Sequence, residues 1–364
     1  MGDKIRAAVI GLGVGMAHAR GYRANPNAEL IAVCDADPAR LHLRGTELGI
    51  PPERQFCDYA ELLRLPELDA VSIGLPNYLH APVGIAALQA GKHVLCEKPL
   101  ACSATEAAAM VDAARLNGRE LMVCFNYRFR DDARWLRDMG NAGRMGSVYY
   151  ARAGWLRNTG IPGFGGWFTT RAMSGGGPLI DLGVHILDLT LWLMNYPRPV
   201  AVSGQTFSTF GPRGRKAWGN KPPTGPAASL SGAFDVEDLA AGFVRFDNGA
   251  ALQIETSWAS HTKPGRDDYF IHLYGDEGGA DLYVANYTDR DTLRFYTEDC
   301  GQPVVLQPAI INRAAGHELA VAHFVDCLQS GRPVESTGAQ GQALMQIIDA
   351  LYESSATGRE VRLD

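Results

Sequence analysis

Three side chains could together move a proton beside a reacting carbon: Lys98, Asp181 and His185. An imidazole titrates near neutral pH and can take a hydroxyl proton as general base. An ammonium beside the same oxygen lowers the alcohol's pKa and stabilises developing alkoxide, while a carboxylate can hold a hydroxyl or support the imidazolium. Lys98 follows an apolar strand and precedes Pro99, whose fixed backbone aims the side chain. Asp181 and His185 lie four residues apart in Ile180 to Asn195, a stretch apolar almost all round and so expected to be a buried helix. With Asp188 and Trp192 they fall at i, i+4, i+7 and i+11, one polar stripe on one face. Buried carboxylates and imidazoles are costly unless paired or used. Taken singly, a solvated loop lysine and a core histidine with a satisfied hydrogen bond are the ordinary readings, and Asp188 reads as structural. The elements around these residues argue for chemistry.

The first of those elements is a strand, Lys4 to Ile10, ending in Gly11-Leu12-Gly13-Val14-Gly15-Met16 before a helix-compatible run from Ala17 to Ala24. A dinucleotide site needs this order: one glycine for the tight turn, a second for backbone approach to a pyrophosphate, and a helix N-terminus facing the anion. Gly11 and Gly13 fit the first two roles. Met16 stands where the third fingerprint glycine is expected, so Gly15 is assigned to relieve the crowding between helix and strand. Val14, Gly15 and Met16 join the candidate cofactor turn. A second strand, Glu29 to Cys34, ends in Asp35, 22 residues beyond Gly13. A carboxylate there accepts ribose hydroxyls and repels a 2′-phosphate, which predicts NAD over NADP. The alternative is an ordinary Asx turn capping the next helix. Arg40 is a weaker candidate for stacking on adenine. Strands at Asp69 to Leu75, Lys92 to Cys96 and Glu120 to Cys124, alternating with helices at Tyr78 to Ala90 and Ala104 to Asn117, predict an α/β Rossmann domain with a doubly wound parallel sheet. Ligands on such sheets sit at the carboxyl ends of the strands, where Lys98 falls.

Composition narrows the function classes. The chain has 364 residues, 46% of them hydrophobic, and a formal net charge of -6 with no basic stretch. Two domains are the default at this length, at 1–124 and 125–364. Without a positive face, nucleic acid is not an expected partner. No apolar run reaches the roughly 18 residues of a membrane span, and the start reads as a strand, so a cytoplasmic protein is expected. Seven scattered cysteines with no C-x-x-C pair argue against structural zinc and a disulfide framework, and no metal is expected.

The sequence closely resembles the Gfo/Idh/MocA oxidoreductase family over nearly its whole length. The resemblance rests on Gly11-Leu12-Gly13, Pro76-Asn77-Tyr78-Leu79-His80, the block Ala90 to Leu100 (AGKHVLCEKPL), Asn126-Tyr127-Arg128-Phe129, Gly175-Gly176-Gly177 and Asp181-Leu182-Gly183-Val184-His185. It implies that Lys98 contacts substrate and nicotinamide, that the Lys98–Pro99 peptide is cis, and that Lys98, Asp181 and His185 surround the reacting carbon. It also implies that Pro76, Asn77, His80 and Glu97 line the cofactor groove, with Arg128 in the same cofactor set. A homodimer or homotetramer through an exposed sheet face is implied as well.

Beyond residue 124 the pattern turns to alternating strands, with Asp247-Asn248-Gly249 as a hairpin turn, predicting a C-terminal α+β domain with a large, open, mainly antiparallel sheet. Asn158 and Trp167, in an aromatic and basic segment from Trp155 to Arg171, are candidate substrate contacts; an ordinary buried tryptophan is the alternative for Trp167. The Gly175 to Gly177 run is either a hinge or a place of close backbone approach. The Gly- and Pro-rich tract from Ser208 to Gly232 is either a closing segment, a reach to a neighbouring subunit, or an unstructured loop. The leading functional expectation is NAD-dependent hydride transfer at a secondary alcohol carbon of a cyclic polyol, sugar or glycoside. A redox-assisted glycosidase and a non-catalytic NAD-binding regulator, both known within the resembling family, are the alternatives.

Overall fold

The computed structural model describes residues 4–218, 234–313 and 316–363. Contacts divide the chain into two units, Met1–Asn126 with Ala315–Met345, and Tyr127–Ala314 with Gln346–Asp364.

The first unit is built on six strands whose apolar residues are shielded on both faces: β1 (Ile5–Ile10), β2 (Ala28–Cys34), β3 (Gln55–Phe56), β4 (Ala70–Ile73), β5 (His93–Cys96) and β6 (Leu121–Val123). All pairings are parallel, in the order β3-β2-β1-β4-β5-β6. Every residue of β4 and β6 is buried, as a sheet covered by helices on both sides requires. The crossovers carry α1 (Gly15–Ala24), α2 (Pro38–Glu47), α3 (Tyr59–Leu63), α4 (His80–Gln89) and α5 (Ala104–Asn117). Local chemistry sets their ends. Ser103 caps α5 through the Glu106 amide, and Gly118 stops it in the left-handed region. The order reverses between β1 and β4, the crevice where such folds bind nucleotides.

The second unit opens with α6 (Asp131–Asn141), followed by β7 (Val148–Arg157), α7 (Arg171–Ser174), a π-helical turn at Leu179–Gly183 and α8 (Val184–Leu193). Strands β8 (Pro199–Phe207), β9 (Leu239–Phe246), β10 (Ala251–Ser257), β11 (Asp267–Gly275), β12 (Gly279–Ala285), β13 (Leu293–Asp299) and β14 (Gln302–Leu306) follow. Together with the short β15 (Val361–Arg362) they form one nine-stranded sheet, in the order β14-β13-β12-β11-β7-β10-β9-β8-β15. Only β7 with β10 is a parallel pair, so the expected mainly antiparallel α+β sheet is observed. The Asp247–Gly249 hairpin joins β9 to β10, with the Asn248 side chain accepting from the Ala250 amide. The Ser208–Gly232 tract is described only as far as Trp218; the remainder lies outside the described residues.

Helix α9 (Gly316–Ser330) and the start of α10 (Gly338–Thr357) count with the first unit. This corrects the single cut expected at residue 124. Gly21 on α1 lets the backbone and Val321 of α9 approach so closely that a Cβ there would lie 2.9 Å from Val321 Cβ. Long-range packing of this kind leaves no trace in local periodicity. No helix of the described residues is long and apolar enough to cross a membrane.

Candidate active site

The glycine turn after β1 separates into three jobs. Gly11 has φ +90°, and a Cβ there would collide with the Gly74 carbonyl, so the turn tolerates only glycine. Gly15 packs α1 onto the sheet; its Cβ would lie 2.8 Å from Val9 Cγ1, so it replaces the fingerprint glycine that Met16 displaces. Gly13 differs: it is exposed, and nothing lies within 4 Å of a Cβ built on it. Val14 beside it is 45% exposed, while Met16 is buried in α1. The α1 N-terminus has no side-chain cap and no acidic residue in its first turn, so its donors and its positive dipole end suit an anion. These residues fit the pyrophosphate of a dinucleotide.

Asp35, at the end of β2, is buried, and its Oδ2 accepts from the Leu12 amide of the glycine turn at 2.9 Å. Its Oδ1 accepts from the Asp37 amide at 2.9 Å, so the Asx turn also forms. The helix cap itself is Asp37, which accepts from Ala39 and Arg40. Arg40 places Nη1 3.3 Å from both Asp35 oxygens, pairing with the carboxylate.

At the carboxyl end of β5, Lys98 stands partly exposed and joins Pro99 by a cis peptide. The turn is held from two sides. Glu97 Oε2 accepts the Lys98 amide at 3.2 Å, and its Oε1 faces His18 Nε2 at 2.8 Å and His317 Nε2 at 3.4 Å. Burial pushes the Glu97 carboxyl up, but hydrogen bonds from His18 and His317 outweigh it and hold the group well below the usual carboxylate range. His80 has no exposed surface; its Nδ1 lies 2.7 Å from the Pro99 carbonyl and its Nε2 2.8 Å from the Leu75 carbonyl. Burial pushes its pKa down, against the pull of both carbonyls. His80 therefore clamps the Pro99 turn to the segment after β4, which corrects its expected place among groove-lining side chains. Pro76 is partly exposed beside this segment, and Asn77 is buried.

In the second unit, Asp181 and His185 sit on the apolar segment as expected, but the segment is not one regular helix. Asp181 lies inside the π-helical turn Leu179–Gly183 and His185 at the start of α8. The extra residue of a π turn shifts the register of the side chains before it, a device concentrated at functional sites. Of residues 179–193, only Asp181 and His185 are accessible; all the others are buried. Asp181 Oδ2 accepts from Trp258 Nε1 at 2.9 Å. The His185 ring meets the Tyr127 edge with centroids 4.8 Å apart, and Trp155 lies 6.0 Å away. Arg157, nearly buried, donates to Asp267 at 3.0 Å and to the Tyr287 hydroxyl at 2.6 Å. Burial lowers the Arg157 pKa, but the charges of Tyr287, Asp267 and Asp181 raise it further, so the guanidinium is a fixed cation close to the acid.

The expected stripe ends there. Asp188 and Trp192 are buried. Asp188 takes a bidentate pair from Arg128 at 2.5 and 2.9 Å, and a bond from the Tyr196 hydroxyl. Arg128 has no exposed surface and stacks over Trp192, so its guanidinium is a core element, correcting its expected place on the cofactor. Asn158 spends its amide on the Ser260 and Thr262 carbonyls, and Trp167, half-buried, stacks on Phe168 at 3.7 Å. The Gly175–Gly177 run is a site of close approach: side chains at Gly176 and Gly177 would collide with Tyr352 and Glu237. Glu237 accepts from the Gly177 and Leu179 amides and the Tyr352 hydroxyl, anchoring the start of the π turn. Sequence reasoning missed Trp258, Tyr287, Glu237, His18 and His317. Each reaches its partner across 58 or more residues of chain, so spacing carried no signal.

A parallel sheet with a glycine turn shaped for a pyrophosphate, followed by a unit that exposes an acid and an imidazole on an apolar helix, defines a nucleotide-dependent oxidoreductase. Residues 5–125 match the oxidoreductase family with an NAD-binding Rossmann fold, and residues 133–281 match the GFO/IDH/MocA C-terminal domain. The chain belongs to the Gfo/Idh/MocA oxidoreductase family, and its cofactor is NAD. It is 33% identical to D-glucoside 3-dehydrogenase of Escherichia coli strain K12, over 99% of this chain and 97% of that one. It is 27% identical to scyllo-inositol 2-dehydrogenase (NAD(+)) of Bacillus subtilis strain 168, over 100% and 98%. A levoglucosan dehydrogenase solved in complex with NADH and levoglucosan superposes with TM-score 0.83 at 25% identity, covering 99% of each chain.

Proposed function

We propose that this protein is an NAD-dependent dehydrogenase acting on a ring secondary alcohol of a sugar, a glycoside or a cyclic polyol. The observation that carries the reading is the pair Asp181 and His185, the only accessible side chains on an otherwise buried segment. Bound NAD supplies the hydride acceptor. His185 takes the hydroxyl proton, because imidazole is the side chain matched to proton transfer near neutral pH. Asp181, oriented by Trp258, holds a neighbouring hydroxyl or supports the imidazolium. Lys98 stabilises the developing alkoxide from a turn fixed by Glu97 and His80. Tyr127, partly exposed beside His185, offers an apolar face suited to the C–H surface of a sugar ring. Asp35 favours an unphosphorylated adenosine ribose, hence NAD over NADP. A homodimer or homotetramer is part of the proposal, and sedimentation of the purified chain reads it directly.

The test is a panel of glucosides, free aldoses and inositols with NAD and with NADP, followed by absorbance of the reduced nicotinamide. Turnover of at least one ring alcohol with NAD is expected. Release of an aglycone without net NADH would assign the redox-assisted glycosidase instead, and tight NAD binding without either reaction would assign a regulator.

A further inference from the structure

We propose that the first unit contains a zinc-binding site made by His18, Glu97, Cys124 and His317. One ligand atom from each of these residues lies within 4.8 Å of all the others. The donors come from four places: α1, the end of β5, the end of β6 and the first turn of α9. Two nitrogens, an oxygen and a sulfur form the borderline-soft donor set that zinc accepts in tetrahedral geometry. Zinc bonds of about 2.0–2.3 Å place such donors about 3.3–3.8 Å apart, so the cluster needs only small side-chain shifts to close on an ion. His18 Nε2 and Glu97 Oε1 are already 2.8 Å apart, and His317 Nε2 is 3.4 Å from the same oxygen.

Burial and charge support the ion. His18, Glu97 and Cys124 are almost wholly buried, whereas the His317 side chain is 28% exposed and offers the way in. Zinc with one carboxylate, one thiolate and two neutral imidazoles is electrically neutral, which is the cheapest charge state for a buried group. Binding forms a zinc–sulfur bond as the Cys124 thiol releases its proton to solvent; no electron is transferred. The backbone is fixed in advance. A Cβ on Gly316 would lie 2.8 Å from the Asn126 carbonyl, so the α9 start that carries His317 is seated against the segment after Cys124. Glu97 Oε2 remains on the Lys98 amide, so an ion on Oε1 stiffens the lysine turn without touching it. The cysteine spacing that argued against zinc looked for local pairs, and these ligands come from widely separated positions.

The full-length protein, stripped with a chelator and dialysed against Zn²⁺ or Co²⁺, is expected to retain about one ion per chain by elemental analysis. The cobalt form should show a thiolate-to-metal charge-transfer band. Cys124→Ser should abolish that band, and His317→Gln should weaken retention by about tenfold or more. The zinc form should unfold at a higher temperature than the stripped form. Retention below about 0.1 ion per chain by natively folded protein overturns the proposal, because a site of this donor set binds tightly. A charge-transfer band that persists in Cys124→Ser overturns it too, assigning the ion to another cysteine such as the exposed Cys57 or Cys300. None of these readouts depends on turnover, so they stand apart from the dehydrogenase assay.

Discussion

His185→Ala is expected to lower kcat by about 10²-fold or more while NAD affinity stays within a few-fold, because general-base catalysis contributes that much. Steady-state kinetics with the best ring alcohol from the panel, alongside a nucleotide titration, checks it; unchanged kcat removes His185 from the mechanism. In the wild type log kcat/KM should fall with unit slope on the acidic side, and in the variant that limb should vanish. Asp35 makes a separate prediction at the other end of the chemistry. Its carboxylate is buried and bonded to the glycine turn, so it cannot swing away from a 2′-phosphate. Asp35→Ser should narrow the preference for NAD over NADP, read as the ratio of the two dissociation constants; an unchanged ratio disconnects Asp35 from the ribose. At this scale the sequence offered the residue types for the proposed chemistry. It could not show that His80 and Arg128 are spent inside the core, because their partners, the Pro99 carbonyl and Asp188, lie 19 and 60 residues away.

Two glycines of one turn should respond oppositely to the same substitution. Gly15→Ala forces a methyl against Val9 and is expected to destabilise the fold by about 1–3 kcal/mol, as overpacking does. Gly13→Ala meets open space, so stability should hold while NAD affinity drops. Urea unfolding and nucleotide titration of both variants separate the roles; equal behaviour contradicts them. The π turn supplies another element-scale test through Glu237. Burial raises the Glu237 carboxyl above its ordinary value despite hydrogen bonds from Gly177, Leu179 and Tyr352. The folded state therefore holds this proton more tightly than the unfolded chain, so this group's contribution to stability declines as pH rises from its unfolded value, about 4.3, through its folded one. Glu237→Gln should remove that slope. It should also cost about 1–3 kcal/mol, since the amide group brings donors toward the Gly177 and Leu179 N–H groups. Unfolding midpoints measured across acidic to neutral pH decide it; parallel curves for both proteins rule Glu237 out as the titrating group. Helix and strand periods located most of the longer elements here, though not α6 or the short α3, α7, β3 and β15. The π turn escaped because a 3.6-residue pattern cannot register one inserted residue.

For the whole molecule, the strongest prediction concerns α9. This helix buries Ala320, Val321, Phe324 and Val325 and counts with the nucleotide unit, although it follows the large sheet in sequence. A chain ending at Arg313 should lose NAD binding and soluble yield together, because α1 would then expose the surface that Gly21 presents to Val321. A soluble, NAD-binding product of that length would show that the unit folds without its C-terminal segment.

The sequence by itself determined the glycine turn, the acid after the second strand, and the parallel and antiparallel sheets. These follow from local conformational preference and from periodic burial, both written in neighbouring residues. Tertiary structure alone decided that His80 and Arg128 are drawn into the core, that the partner of Asp188 is Arg128, and that His18, Glu97, Cys124 and His317 meet. Those outcomes depend on which distant backbones approach within a few ångströms, a quantity that no local pattern contains.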